Sequence, residues 1–174
     1  MGTRRRAREL ALKVLYRMDL TQEEPGQSLE SVTELLRSGE PGQEQEAGHQ
    51  KIESSRDLEE FASRLVHGVR QKLREIDALL LRFAENWRVE RMTLVDRNIL
   101  RLAVYELLFC PDIPHKVSIN EAIELAKRFS TQESGPFING VLDQIFNHVH
   151  GKAAAGQRPE DLSSDMTHAA GDGG

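Results

Sequence analysis

Arg4, Arg5, Arg6 and Arg8 stand together in the run TRRRARELALKVLYRMDL at 3–20, and their type and spacing suit them to holding phosphate. A guanidinium is planar, permanently charged, and carries paired N–H donors that match two phosphate oxygens. If the run is helical, the partial positive charge of a helix N-terminus adds to theirs. Tyr16, about three turns further on, offers a ring for an unpaired base to stack on, which is how single-stranded RNA is usually held. A solvated terminus and an edge-of-core tyrosine would use the same residues. Composition by itself therefore leaves both readings open.

Residues that could make or break bonds are scattered. Glu106 lies inside an apolar run, while Asn120, Glu121 and Asn139 fall near expected helix starts. Capping and buried polar networks account for them better than catalysis does. His148 and His150 are two apart, so a helix would turn them to different faces, and no metal site is expected. Gly140 lies inside a helical stripe with no strand before it, which fits close helix packing rather than a phosphate loop. No catalytic constellation and no cofactor site emerge.

Charge is unevenly spread. The chain of 174 residues has a net charge of −5. Residues 1–18 hold Arg4, Arg5, Arg6, Arg8, Lys13 and Arg17 against Glu9 alone, a local +5, so the remainder carries −10. A local basic patch can still grip phosphates on an acidic protein, because salt screens charges more than ~10 Å away. Cys110 is the only cysteine, which excludes an internal disulfide and suggests an intracellular protein in which it packs as a small core hydrophobe. The start MGTRRRAREL has charge but no apolar stretch behind it, unlike a secretory signal, and Arg6 stands where an N-myristoylation pattern wants Ser or Thr. No apolar run approaches the ~18 residues of a membrane span, so a cytoplasmic location is expected.

The elements that must position these residues read as helices throughout. Ala7, Leu10, Ala11, Val14, Leu15 and Met18 recur at i, i+3, i+4, i+7, i+8 and i+11, one stripe of a first helix with Thr3 as a candidate cap. A second helix is expected at about 28–37, with Leu29, Val32, Leu35 and Leu36 inward. Residues 38–55 are rich in Gly, Glu and Gln and read as a mobile insertion. A third helix carries Leu58, Phe61, Ala62, Leu65, Val66, Val69 and Leu73. A fourth follows with Ile76, Leu79, Leu80, Phe83, Ala84 and Trp87, and periodicity does not decide whether the two are one bent helix. The fifth, about 93–109, is apolar nearly all round between Ile99 and Phe109, the mark of a central helix. It should end at Cys110, before Pro111. Ser118 and Glu121 read as an S-x-x-E capping box opening the sixth helix. Ser134 reads as the cap of the last, which turns Ile138, Val141, Leu142, Ile145 and Val149 inward. The expectation is one all-α domain of about seven helices over 1–150, with a disordered acidic tail at 151–174.

Four ordered blocks now carry a resemblance. RRRARELA followed by LY, then VDRNILRLAVYEL, then DIPHKVSINEAIELAKRF, then FINGVLD together resemble the bacterial transcription antitermination factors of the NusB family. The resemblance runs over roughly 4–149, outside the 38–55 insertion and the tail. It implies a helical, non-enzymatic protein that binds the boxA element of nascent ribosomal RNA transcripts. It would do so with NusE, a small-subunit ribosomal protein, and join the RNA polymerase elongation complex to suppress premature termination. Motif by motif, it implies RNA contacts at Arg4, Arg5, Arg6, Arg8 and Tyr16, and in the 130–137 loop through Gln132, Gly135 and Phe137. It places the NusE contact at the start of the fifth helix, around Asp96 with Glu90 nearby. The chain departs from the family pattern at Pro136, where a lysine is usual.

Two other readings stay open at this stage. One is a protein-interaction adaptor, including a homodimer that buries the same surface. The other is the helical domain of a ribosomal RNA methyltransferase, whose catalytic part would need a Rossmann-like domain and a Gly-rich cofactor loop that this sequence does not contain.

Overall fold

The apolar stripe of the first helix is covered by three neighbouring helices. In the computed structural model, which describes residues 2–38, 49–84 and 92–154 (with side chains at 49–54 and 152–154 left out), the elements are all helical. They are α1 (Thr3–Thr21), α2 (Pro25–Ser38), α3 (His49–Gln71), α4 (Leu73–Phe83), α5 (Leu94–Phe109), α6 (His115–Phe129) and α7 (Ser134–Ala154). α1 packs on α2, α3 and α5, with Ala7, Leu10, Ala11, Val14 and Leu15 buried. α5 is the central rod and touches α1, α3, α4, α6 and α7. It buries Ile99, Leu100, Leu102, Ala103 and Val104, as its all-round apolar sequence requires. α6 and α7 pack on each other and both pack on α5.

Local chemistry fixes the boundaries. Pro25 opens α2 at a first-turn position, where its missing N–H costs nothing. The helix therefore begins three residues before the expected Ser28. Leu35 and Leu36 are 68% and 43% exposed rather than inward, so the packed stripe of α2 is Leu29 and Val32. α3 begins at His49, so 49–55 of the expected insertion are helical, and 39–48 lie outside the described residues. α3 and α4 are two helices joined at a kink. Lys72 leaves helical geometry at φ −102° and ψ 11°, yet its N–H still donates to the Gly68 carbonyl. Trp87 and the tail from 155 also lie outside the described residues, and α7 continues past 151 to Ala154.

Thr93 caps α5, its hydroxyl accepting from the Asp96 N–H at 3.1 Å. Cys110 ends α5 and is buried, as expected. α6 corrects the capping-box reading. It starts at His115 behind an extended Pro114, whose carbonyl accepts from the Val117 and Ser118 N–H groups. Ser118 and Glu121 are thus already inside the helix, free for tertiary contacts. Likewise Thr3 is the first residue of α1 and Gly2 holds the cap position.

Candidate nucleic-acid interface

The arginines of α1 divide by helix face. Arg4 and Arg6 are exposed, Arg5 is half-buried, and Arg8 is 3% exposed. Arg4 lays its guanidinium over the Phe61 ring, 5.0 Å from the centroid. Arg5 grips Glu121 of α6 in a two-point pair, Nε at 3.0 Å and Nη2 at 2.9 Å. That pairing raises the Arg5 pKa and lowers that of Glu121. No carboxylate among the described residues pairs with Arg6.

Arg8 departs from the expected RNA role. Its Nε lies 3.1 Å from both carboxylate oxygens of Glu106, in the core between α1 and α5. Ser118 donates to the same carboxylate at 3.4 Å. With both partners buried, the guanidinium is committed to Glu106 and presents nothing to a ligand at the surface.

The helical period instead groups Arg6, Lys13, Tyr16 and Leu20 on the outward face of α1. Tyr16 is 40% exposed and Leu20 60%. The end of α6 lies beside this face. Lys13 sits 6.0 Å above the Phe129 ring, and Arg128 lies over the same ring at 5.4 Å. Arg128 also reaches Glu9 at 2.6 Å, and Lys127 pairs with Glu124 at 3.1 Å. The resulting surface is a ridge of arginine and lysine interleaved with Tyr16 and Phe129, the combination that suits a phosphate chain with splayed bases. In the sequence Lys13 belongs to the basic cluster of α1, whereas Arg128 stands far along the chain and joins it only in the fold. The K-R-F ending of α6 was the available signal.

Only 130–133 link α6 to α7; Ser134, Gly135, Pro136 and Phe137 of the expected loop are already the first turn of α7. Gln132 is exposed, Gly135 is buried, and Phe137 is half-buried against the core. Pro136 is exposed in the first turn of α7. Asp96 does not face outward as the resemblance suggested. It is 8% exposed, and its carboxylate accepts the Ser130 hydroxyl at 2.6 Å and the Ser134 hydroxyl at 3.0 Å. Glu90 lies outside the described residues. Among the described residues no group of three or more His, Cys, Asp or Glu side chains is placed to hold a metal, and no helix is long and apolar enough to cross a membrane.

The NusB family profile matches residues 5–147. The chain belongs to the NusB family. It is 44% identical over 149 residues to the transcription antitermination protein NusB of Desulfatibacillum aliphaticivorans, covering 86% of this chain and 93% of that protein. It is 47% identical to the NusB of Geobacter sulfurreducens over 83% of this chain and 94% of the relative. The fold is similar to that of a crystal form of T. maritima NusB, with a TM-score of 0.66 and 40% identity over 84% of this chain and 93% of that one. It is also similar, at TM-score 0.66 and 29% identity over 84% and 97% of the chains, to a protein in a crystal structure of antitermination factors NusB and NusE in complex with dsRNA. NusB-family relatives are antitermination factors, not enzymes. The relatives are matched over 93% and 94% of their own length, so the likeness is to whole antitermination proteins.

Proposed function

We propose that this protein is an RNA-binding transcription antitermination factor that, with NusE, binds boxA of nascent ribosomal RNA transcripts and keeps the elongating polymerase from terminating early. The observation that carries the reading is the outward ridge of Arg6, Lys13, Tyr16, Lys127 and Arg128 on a NusB-family fold. Arg4 and the exposed part of Arg5 extend this ridge towards the chain's start, and Gln132 extends it towards α7. Such a surface gives backbone affinity through its cations and tolerance for unpaired bases through its rings. Sequence preference would then come from edge contacts of the bases, for which Gln132 offers an exposed amide.

NusE meets the start of α5 in this reading. Because Asp96 is buried, the groups offered there are Thr93, exposed, and Leu94 and Val95, half-buried. The apolar pair Tyr16 and Leu20 gives a protein partner further purchase, and a second copy of the chain could compete for it.

A filter-binding titration of the full chain tests the reading, using boxA-containing single-stranded RNA and a scrambled control with and without NusE. Preferential binding of boxA, strengthened by NusE, is expected. Equal and weak binding of both RNAs would reject it. Size-exclusion chromatography of the free chain reports whether a homodimer covers the same ridge.

A further inference from the structure

We propose that Asp96 is a positioning residue for the α6–α7 loop, its one carboxylate clasping both ends of the loop and so fixing the shape presented to RNA. The inference rests on the RNA-binding reading above.

The geometry carries it. One Asp96 oxygen accepts from Ser130 at 2.6 Å and the other from Ser134 at 3.0 Å. These two serines bracket the exposed residues Thr131, Gln132 and Glu133. Their hydroxyl oxygens are 2.9 Å apart, and the Thr131 hydroxyl lies 3.0 Å from that of Ser134. The Ser134 N–H closes the turn on the Thr131 carbonyl at 3.1 Å. Ser134 is 4% exposed and Asp96 8%, so solvent does not replace these bonds readily.

Asp96 is itself held. It sits in the first turn of α5, where the positive end of the helix favours a carboxylate, and its N–H is bound to the Thr93 hydroxyl. A carboxylate accepting hydroxyls makes stronger bonds than a neutral acceptor would. The loop is thus referenced to the central helix rather than to its neighbours in sequence. A loop already shaped before RNA arrives avoids the cost of ordering its side chains on binding.

The test uses the full chain with Asp96→Asn, Ser130→Ala, Ser134→Ala and the Asp96→Asn/Ser134→Ala pair. Affinity for a boxA-containing single-stranded RNA is read together with amide hydrogen exchange at 131–133. Asp96→Asn and Ser134→Ala should each weaken binding about fivefold or more, and the pair should be no worse than the more damaging single change, since all three disrupt one unit. Exchange at 131–133 should accelerate while that of α1 stays as in the parent. If Asp96→Asn is too unstable to assay, Ser130→Ala, which leaves the buried carboxylate with its Ser134 bond, carries the same expectation in milder form. Variants that bind RNA like the parent despite faster loop exchange would overturn the inference. So would losses that multiply while loop exchange is unchanged. A parent that binds no RNA would sink the functional reading itself, and this outcome is visible before any variant is compared.

Discussion

Arg8 of α1 and Glu106 of α5 form a two-point ion pair inside the core, 3% and 2% exposed, that ties the basic helix to the central rod. The pair commits Arg8 to the core, while Arg4 and Arg6 on other faces of α1 stay exposed. Removing one partner leaves the other charge buried and uncompensated. Arg8→Ala should destabilise the fold by about 3–5 kcal/mol in denaturant unfolding, while Arg8→Met with Glu106→Leu should recover most of it. A single variant as stable as the parent would show that the pair does not matter to folding.

Gly68 of α3 faces Tyr105 of α5 so closely that a Cβ would overlap the phenol ring. The absence of a side chain lets the two helices approach, and Tyr105 in turn stacks towards Phe109 at 5.7 Å. Gly68→Ala would ordinarily favour a helix, but here overpacking should dominate and cost about 1–3 kcal/mol. A gain in melting temperature would contradict the close approach. A companion Tyr105→Leu should relieve part of the loss.

Arg64 and Asp112 pair at 2.6 and 3.0 Å across the α3 surface and the α5–α6 turn. The Arg64 guanidinium, hydrogen-bonded to it and opposed by burial, holds the Asp112 carboxyl down at about 2. Its folded pKa is therefore below the unfolded value near 3.8. The stability this pair adds is fully present above the unfolded value and fades as pH falls from there towards 2. NMR titration should find Asp112 at about 2 in the parent and nearer its ordinary value in Arg64→Gln. Superimposable titrations would mean that the pair is not formed in solution.

Pro136 occupies the first turn of α7, where its missing N–H has no helical use and the side chain points into solvent. A lysine at this position adds a charge beside the loop without disturbing the helix. Pro136→Lys should strengthen boxA binding by ~0.5–1 kcal/mol at low salt, lose that gain at high salt, and leave the melting temperature nearly unchanged. No gain at low salt would take this end of the loop off the RNA path.

The fold was largely readable in the sequence because helical periodicity is local information. The stripes of α1 and α3, the all-round apolar α5 and the Pro111 stop each follow from residues a few positions apart. What escaped was tertiary. Ser118 and Glu121 have the spacing of a cap, but Pro114 begins α6 earlier and their side chains serve Glu106 and Arg5. Arg8 looks like its neighbours in a basic run, and only the packing of α1 on α5 shows that it turns inward. The same holds for Asp96, whose serine partners lie 34 and 38 residues further along the chain. The ridge was half visible, since Lys13 and Arg128 meet only once α1 and α6 are folded around Phe129.

The central claim, that the outward face of α1 holds the RNA backbone, is tested most directly by the salt dependence of binding. Affinity for boxA single-stranded RNA is measured over a range of salt for the parent, Arg6→Ala/Lys13→Ala, and Arg8→Met/Glu106→Leu. Each phosphate contact on a single strand contributes ~0.7 to the slope of log affinity against log salt, so losing Arg6 and Lys13 should lower it by ~1.4. The buried double variant should keep the parent slope, because Arg8 meets Glu106 and not a phosphate. An unchanged slope in Arg6→Ala/Lys13→Ala, or one that falls with Arg8 instead, would contradict the account.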